Sequence, residues 1–479
     1  MEKQIRTPLI DAVQRHMNKQ SISFHVPGHK NGQLFPASLQ HDFQSVLPYD
    51  VTELAELDDL HAPSGPIQEA QQLTANFYQA GHSFFLVGGS TVGNLAMIYA
   101  FCRPGDRVLV QRNCHKSVIH ALELARVIPI FASPEYDQVT GHPIGLSADV
   151  LLKGLKLYPD LKAVVLTYPN YYGSGLNPAP LVVAAKEAGL YVLVDEAHAA
   201  HFIGGLLPPS SLSCGADAVV QSAHKMLPAL TMGAYLHVHK QVGTAEVEAV
   251  KLALQMFQSS SPSYLIMASL DGARAYLERL TQKEILAIIA GVQAFKKEIN
   301  NIPGLAVIEW SNLTYLCDPL KVTIKSETAL TGFQLQKEFE AVGLYPELAD
   351  ERHLLLVFGL APFTDTGPVI DRLTKVLRSY PVKRIPPPLI AEAGTLSERV
   401  VADVSPYTKR RIPLDESIGR IAGEAIIPYP PGVPLVLAGE RIKAATVEQL
   451  ERLAKAGARF QGHQSLADGI SVVEVEEEG

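Results

Sequence analysis

Cysteine is scarce in this sequence, and apolar runs long enough to cross a membrane are missing. The 479 residues include four cysteines, and none of them forms a CxxC pair. Neither a disulfide framework nor a zinc site is therefore expected. The N-terminus lacks the apolar core of a signal peptide, and no apolar run reaches the roughly 18 residues of a membrane-spanning helix. These absences predict a cytoplasmic protein with free thiols and no membrane partner.

Positive charge is also in short supply. The formal net charge of −8 argues against a nucleic-acid partner and mildly favours a cationic substrate. Hydrophobic residues make up 47% of the chain and charged residues 19%, so a globular fold is expected and not disorder. The length suggests about three domains.

The lysine of a nucleotide-binding P-loop is missing as well. Gly88 and Gly93 have the P-loop spacing, but Asn94 and Leu95 stand where Lys and Ser or Thr are required. The DEAH string at 195–198 spells a helicase box, yet without the P-loop lysine it does not indicate an ATPase.

The stretch from Leu190 to Leu227 organises the chain. One apolar run of strand length ends in Asp195, and a second run, Ala218–Val220, leads to Lys225. Because ligands of a parallel α/β sheet bind beyond the carboxyl ends of its strands, the acid and the lysine are expected to share a pocket. A lysine amine holds an aldehyde cofactor as a Schiff base, and a carboxylate keeps a pyridine nitrogen protonated, so this pair suits pyridoxal phosphate. The alternative is a helix-capping aspartate and a solvated lysine.

A phosphate site is predicted where another strand meets a helix. The strand-like run Phe84–Val87 leads into two glycines, Ser90 and Thr91, and apolar residues then recur at helical spacing. Glycines let the backbone approach an anion, while hydroxyl groups and free amides at a helix N-terminus bind it. Ser90 and Thr91 are therefore the candidate phosphate ligands. The alternative is a serine that caps an ordinary helix.

Seven ordered segments resemble the ornithine/lysine/arginine decarboxylase family, which has fold type I of the pyridoxal-phosphate enzymes. They are FHVPGHKNG (24–32), LDDLHAPSGPI (57–67), FLVGGSTVGN (85–94), QRNCHKSVIHAL (111–122), DEAHAAHF (195–202), SAHKMLPALTMGA (222–234) and SSPSYLIMASLD (260–271). A later stretch, PLDESIGRIAGEAIIPYPPGVPLVLAGE (413–440), resembles the C-terminal domain of that family. The resemblance implies a pyridoxal 5′-phosphate cofactor.

The resemblance also assigns side chains to the cofactor. It implies that His115 stacks on the pyridoxal ring and that Ser222 and His224 contact the phosphate. Thr167 and Tyr171, in the turn after another apolar strand, are secondary candidates for the wall of the pocket. Taken alone, His115 would more often be a structural histidine than a ligand-binding one.

Further roles concern the substrate and the subunits. His198 is expected near the ring or the substrate carboxylate, and Lys225 or His224 is expected to return the proton to Cα. Glu424 matches a family glutamate that receives the distal cation of the substrate, since a buried cation needs a counter-charge. A solvated side chain is the alternative for Glu424. Ser261 is expected to complete the phosphate site of a partner subunit, or else to belong to a helix cap.

The βα rhythm and the resemblance together predict the fold. The class is α/β, similar to fold type I pyridoxal-phosphate-dependent transferases, with a mainly parallel doubly wound sheet, a smaller α+β domain and a C-terminal domain. Prolines at 381 and 386–388 mark a linker. The predicted units are an N-terminal arm (1–47), a large cofactor-binding domain (48–280), a small α+β domain (281–380), a C-terminal decarboxylase domain (389–470) and an acidic tail (471–479).

The expected activity is decarboxylation of a basic L-amino acid to its amine and CO2, in polyamine metabolism. Arginine is favoured over lysine and ornithine because short-form relatives include arginine decarboxylases. The chain resembles such a short form, without the N-terminal wing domain of larger members, and a homodimer or higher homo-oligomer with shared active sites is expected. No metal is expected. The alternatives are a fold-type-I aminotransferase or C–C lyase and a non-catalytic regulatory protein with the same fold.

Overall fold

The computed structural model describes most of the chain. The described residues are 5–19, 21–310, 312, 314–383, 392–401, 403–429, 432–462 and 466–474. The α-helices are α1 (Pro8–Asn18), α2 (Ala37–Phe43), α3 (Pro66–Tyr78), α4 (Gly89–Phe101), α5 (Lys116–Leu124), α6 (Ala148–Leu157), α7 (Ala179–Glu187), α8 (Ala223–Met226), α9 (Thr244–Phe257), α10 (Tyr264–Arg279), α11 (Gln282–Ile299), α12 (Gly332–Ala341), α13 (Gly367–Leu377) and α14 (Ala444–Ala456).

The strands form one large sheet and several smaller ones. They are β1 (His82–Leu86), β2 (Arg107–Gln111), β3 (Ile128–Ala132), β4 (Glu135–Tyr136), β5 (Pro143–Gly145), β6 (Leu161–Thr167), β7 (Ser174–Leu176), β8 (Tyr191–Asp195), β9 (Ala218–Gln221), β10 (Ala234–Val238), β11 (Leu305–Val307), β12 (Tyr315–Cys317), β13 (Lys321–Ser326), β14 (Leu348–Ala349), β15 (His353–Val357), β16 (Leu396–Ser397), β17 (Lys409–Ile412) and β18 (Ile470–Val473).

The large sheet has the order β1-β10-β9-β8-β6-β2-β3-β16. Its central strands, from β9 to β3, pair in parallel. Towards the edges, β10 and β16 run antiparallel to their inner neighbours. The predicted mainly parallel sheet is therefore confirmed.

Helices cover both faces of this sheet, which confirms the doubly wound arrangement. Successive side chains of a strand point to opposite faces, and β8 shows the result. Val192 and Val194 pack in a core with Leu181 of α7, whereas Leu193 packs in a second core with Met97 of α4. Because both faces are buried, polar groups of the central strands reach a ligand only at the strand ends.

A smaller antiparallel sheet, β11-β13-β15-β14, follows in the second half of the chain. Helices α11 and α12 both begin with a capping box, at Thr281 and Thr331, which satisfies free N–H groups of the first turn. Phe295 of α11 and Leu373 of α13 join the same core as the large sheet. This packing joins the two sheets through a continuous core.

The C-terminal part has its own core, in which Ile426, Leu450 and Ile470 are buried. One strand of this part, β16, pairs with β3 and extends the large sheet. The prediction that the acidic tail begins at residue 471 is wrong, because Ser471 to Val473 belong to β18 and the apolar Val472 packs in this core. The predicted linker prolines 386–388 and the acids 476–478 lie outside the described residues, and the other predicted domain limits stay predictions.

All four cysteines are free thiols, as the sequence predicts. Within the described part of the chain, no helix combines the length and the apolar character that a membrane crossing requires.

Candidate active site

Asp195 and Lys225 line one cavity at the carboxyl ends of the parallel strands. Asp195 is the last residue of β8, and Lys225 lies in α8, directly after the neighbouring strand β9. The described residues that line the cavity are Ser90, His115, Thr167, Pro169, Tyr171, Asp195, Ala197, His198 and Lys225. The topology thus brings together side chains that are up to 135 positions apart in the sequence.

The carboxylate of Asp195 is buried and is held from two sides. Its Oδ2 accepts a hydrogen bond from Asn94 Nδ2 at 2.8 Å, and its Oδ1 accepts one from the backbone N–H of Ala197 at 3.1 Å. A carboxylate has about four acceptor sites, so capacity remains for a further donor such as a protonated ring nitrogen. Sequence reasoning missed Asn94, which attracted notice only because it breaks the P-loop pattern.

Glu196, the neighbouring acid, has its carboxylate in a separate hydrogen-bond network. It accepts hydrogen bonds from Ser210 Oγ at 2.7 Å and from Gln221 Nε2 at 2.8 Å. Burial raises the pKa of Glu196, although these hydrogen bonds oppose the shift. Of the two adjacent acids, Asp195 is therefore the one that serves the cavity.

His115 caps helix α5 with its own side chain. Its Nδ1 accepts a hydrogen bond from the backbone N–H of Ser117 at 3.2 Å and lies 2.8 Å from Ser117 Oγ. The same Oγ accepts a hydrogen bond from Asn94 Nδ2 at 2.9 Å. Burial lowers the pKa of His115; Asp195 opposes this shift and Lys225 adds to it. The ring is thus held in the form with a lone pair on Nδ1.

Lys225 and His198 form a close pair inside the cavity. The two atoms Nζ and Nε2 are 3.1 Å apart, and Nζ lies 5.9 Å from the ring centroid of Tyr171. Burial lowers the pKa of Lys225, although Asp195 and Glu347 raise it. Burial also holds the pKa of His198 well below its ordinary value, and Lys225 adds to this shift. The lowered pKa makes the neutral amine, which is the nucleophile towards an aldehyde, easier to form than on a solvent-exposed lysine.

The turn after β6 forms a wall of the cavity and is supported by Lys321 of β13. Lys321 Nζ donates to the backbone carbonyl of Tyr171 at 3.1 Å. The backbone N–H of Asp318 donates to the carbonyl of Gly173 at 2.7 Å. Burial lowers the pKa of Lys321 to about 8. This buried cation next to the cavity could not be recognised from the sequence, because it lies in an otherwise ordinary strand.

The predicted phosphate ligands are only partly brought together. Ser90, in the first turn of α4, lines the cavity, whereas Thr91 is exposed and does not line it. Ser222 Oγ and Thr167 Oγ1 are buried and have no hydrogen-bond partner among the described residues. His224 Nδ1 donates to a backbone carbonyl at 3.0 Å, which leaves a lone pair on Nε2.

These residues fit pyridoxal phosphate. The unpartnered hydroxyl groups of Ser222 and Thr167 and the N-terminus of α4 offer hydrogen-bond donors to a phosphate. Asp195 offers an acceptor to a ring nitrogen, and Lys225 offers an amine to an aldehyde. The donor set thus matches the separate chemical groups of this cofactor.

A loop of the C-terminal part lies against His115. A Cβ atom on Gly432 would be 3.5 Å from His115 Nε2, so glycine allows the backbone to come close to the ring. Arg112 anchors this loop by donating to the carbonyls of Pro434 at 2.7 Å and Leu435 at 3.1 Å. Arg112 also donates to Glu440 at 2.9 Å.

Glu424 and Ser261, like Thr91, Ser222 and His224, are not among the described residues that line the cavity of the single chain. Glu424 accepts hydrogen bonds from the backbone N–H of Ser471 at 2.6 Å and from Arg411 at 3.3 Å. Ser261 is exposed, and the cap of α10 is formed by Ser263. The roles of Glu424 towards the substrate and of Ser261 towards a partner subunit stay predictions.

Glu347 is a carboxylate near the cavity that the sequence analysis missed. It is exposed and precedes β14. Burial lowers the pKa of Lys225, of Lys321 and of His224, and Glu347 opposes the shift in all three. The negative charge of Glu347 thus acts on three basic groups in and around the cavity.

The sheet and the cavity together define a class of protein. A doubly wound sheet with a buried aspartate at the end of one strand and a lysine directly after the neighbouring strand is the arrangement of fold type I pyridoxal-phosphate enzymes. Two family models match the chain, "Orn/Lys/Arg decarboxylase, major domain" over residues 7–312 and "Orn/Lys/Arg decarboxylase, C-terminal domain" over residues 395–479. The chain belongs to the Orn/Lys/Arg decarboxylase family.

Individual relatives agree with this assignment. "Uncharacterized protein YaaO" of Bacillus subtilis is 41% identical, over 99% of this chain and 100% of the relative. An "Arginine decarboxylase" of the same species is 31% identical, over 96% of each chain. Among solved structures, the constitutive lysine decarboxylase of Escherichia coli has a TM-score of 0.80 at 21% identity, over 98% of this chain and 82% of that chain. The solved structure supports the fold, and the arginine decarboxylase supports the family.

Proposed function

We propose that the protein decarboxylates a basic L-amino acid, arginine in the first place, to its amine and CO2 with the help of pyridoxal phosphate. The observation that carries the proposal is the cavity that Asp195 and Lys225 share. Arginine as the substrate rests on the 31% identity to relatives named arginine decarboxylase. The product would then be agmatine.

Different residues of the cavity would bind different groups of the cofactor. Pyridoxal phosphate, when bound, supplies an electron sink for the bond to the departing carboxylate. Lys225 provides the amine that holds it, and Asp195 stabilises a proton on the ring nitrogen. His115, which lines the same cavity, would pack against the bound cofactor and limit its rotation.

Proton transfer falls to the pair of Lys225 and His198. The separation of 3.1 Å between Nζ and Nε2 is a hydrogen-bond distance, so a proton that Lys225 releases or takes up has an immediate neighbour. Because burial keeps His198 neutral, its Nε2 accepts from the ammonium form of Lys225. Lys225 is therefore our candidate for returning the proton to Cα, with His224 as the alternative.

The distal cation of the substrate requires a carboxylate. Glu424 is the residue that the family resemblance indicates. Glu347 is a second candidate, supported by its influence on Lys225, His224 and Lys321. Positive charge on Lys225 and Lys321 would repel a substrate cation. A nearby carboxylate would offset this repulsion and pair with the cation of the substrate.

A homodimer with shared active sites is part of the proposal. The N-terminal arm carries apolar side chains that a single chain leaves in water, with Phe24 92% and Ile22 79% exposed. Such contiguous exposed apolar residues are typical of interfaces between subunits. Ser261, exposed in the single chain, is then available to the cofactor of the partner subunit.

The test is an assay of the purified, cofactor-loaded protein with arginine, lysine and ornithine, in which mass spectrometry detects both CO2 and amine. We expect agmatine and CO2 in equal amounts from arginine, and no product from the K225A variant. A keto acid without CO2 would identify an aminotransferase. No product from any of the three substrates would contradict the proposal.

A further inference from the structure

A cluster of two histidines and one aspartate lies where the β4–β5 pair meets the small sheet, outside the cofactor cavity. We call His142, Asp350 and His353 the interdomain triad. His142 comes directly before β5, whereas Asp350 lies in the tight connection between β14 and β15 of the small sheet and His353 is the first residue of β15. His142 and His353 are 7% and 2% exposed, so both imidazoles are withdrawn from solvent.

The ligand atoms of the triad converge on one point. Asp350 Oδ2 lies 2.7 Å from His142 Nε2 and 3.1 Å from His353 Nδ1. One ligand atom from each residue lies within 4.8 Å of the other two. In a tetrahedral site with bonds of about 2.0–2.2 Å, adjacent ligand atoms are roughly 3.3–3.6 Å apart. The triad atoms lie slightly inside this spacing, so an outward shift of about half an ångström would place them around one ion.

Hydrogen bonding alone leaves the Asp350 carboxylate crowded. The hydroxyl of Tyr172 donates to Oδ2 at 2.5 Å, in addition to the two imidazoles. The backbone N–H groups of Arg352 and His353 both donate to Oδ1 at 2.7 Å. A carboxylate has about four acceptor sites, and five groups compete for them. An ion relieves this competition, because the imidazoles then direct lone pairs to the cation and not N–H groups to the oxygen.

We propose that the interdomain triad binds one divalent transition-metal ion of the zinc class. Two imidazoles and one carboxylate suit Zn²⁺, Co²⁺ and Ni²⁺, whereas Mg²⁺ and Ca²⁺ prefer oxygen ligands alone. The Tyr172 hydroxyl orients the carboxylate from outside the ligand set, as outer-shell partners of metal ligands do.

The position of the triad gives the ion a structural consequence. Tyr172 stacks on His142 with ring centroids 3.7 Å apart and is the direct neighbour of Tyr171, which lines the cofactor cavity. An ion at the triad would join the β4–β5 pair and the Tyr172 turn after β6 to the strands β14 and β15 of the small sheet. The ion stabilises the wall of the active site without touching the reacting atoms.

The test is a titration of the metal-free, cofactor-loaded protein with Zn²⁺ by calorimetry, with Mg²⁺ as the comparison. We expect one Zn²⁺ per chain and no saturable binding of Mg²⁺ at this site. Co²⁺ replaces Zn²⁺ as a spectroscopic probe, and its visible bands should report nitrogen and oxygen ligands in the wild-type protein. X-ray absorption of the Zn²⁺-loaded wild type should show two imidazoles on the ion, a result that needs no variant.

Variants assign the site. H142Q and H353Q should each weaken Zn²⁺ binding by at least about 100-fold, since loss of even an outer-shell partner costs about 10–100-fold. The matched control is H41Q, because His41 is 91% exposed and lies outside the triad. Circular dichroism and cofactor absorbance establish that each variant is folded. Unchanged Zn²⁺ affinity in both triad variants, or no saturable binding to the wild type, would overturn the proposal and leave a purely hydrogen-bonded cluster.

Discussion

Asn94 connects the two residues that flank the cofactor cavity. Its Nδ2 donates to Asp195 Oδ2 at 2.8 Å and to Ser117 Oγ at 2.9 Å, and Ser117 Oγ lies 2.8 Å from His115 Nδ1. One amide group of α4 therefore fixes both the carboxylate for the ring nitrogen and the histidine for the ring face. The position of Asn94 in the first half of α4 also couples this pair to the phosphate end of the cavity.

The N94A variant should bind the cofactor less tightly. A hydrogen bond to a charged group contributes about 1.5–3 kcal/mol, so its loss predicts an affinity roughly 10–100-fold weaker. Cofactor absorbance measured during dialysis checks this result. S117A is the matched comparison, because it removes the contacts of Ser117 to Asn94 and His115 but keeps the hydrogen bond from Asn94 to Asp195, and it should lose less. Equal cofactor affinity in N94A and wild type would contradict the role of Asn94.

Substitution of Glu347 should impair substrate binding more than substitution of Glu424. Loss of a carboxylate that faces a cationic group predicts a KM for arginine that is roughly tenfold or more higher in E347Q. E424Q is the direct comparison, since Arg411 and Ser471 already engage that carboxylate. Steady-state kinetics of both variants decide between them, and a larger effect in E424Q would assign the distal cation to Glu424.

Because the pKa of Lys321 is lowered, we expect an unusual pH dependence of the free energy of unfolding. Burial sets the pKa of Lys321 at about 8 in the folded protein, against about 10.4 in an unfolded chain. The unfolded state then binds more protons between these two values, so the Lys321 contribution to stability rises with pH across that window. Below pH 8 the charged lysine costs roughly 3 kcal/mol, which exceeds the roughly 1 kcal/mol of its hydrogen bond to Tyr171.

The K321M variant should therefore be more stable than the wild type at pH 7, and the difference should shrink as the pH approaches 10. Urea unfolding at a series of pH values measures it. K325M, a substitution in the same strand at a partly exposed position, is the control and should show no such trend. A K321M variant that is less stable at pH 7 would show that the charge of Lys321 is compensated.

The N-terminal arm should hold the dimer together. Replacing Phe24, which is 92% exposed, with serine removes apolar surface that we assign to the subunit interface. Sedimentation should show a weaker dimer for F24S, and activity should fall with dilution. L152S is the control, because Leu152 is a 53% exposed residue of α6, outside the arm. The same association constant in F24S and wild type would remove the arm from the interface.

Local patterns in the sequence were sufficient to predict the large sheet and the pair at its rim. The apolar run that ends in Asp195 forms β8, and the run from Ala218 forms β9, with Lys225 directly after it. A strand that is buried on both faces is uniformly apolar, so its polar end stands out. This is why Asp195 and Lys225 were found without the structure.

Supporting residues could not be predicted in the same way. Asn94, Lys321 and Glu347 are each polar residues in ordinary local surroundings, and only tertiary contacts bring them near Asp195, Tyr171 and Lys225. The prediction of a tail from residue 471 failed for a related reason. The acids that follow suggested a solvated end, whereas Val472 is buried by contacts with residues far away in the sequence.

The central claim is that Lys225 holds pyridoxal phosphate beside Asp195. Reduction of the cofactor-loaded protein with borohydride, followed by peptide mass spectrometry, tests it most directly, because reduction fixes the cofactor on its lysine. The account predicts one modified lysine per chain, at Lys225. A modification at Lys116 or Lys321, or none at all, would contradict it.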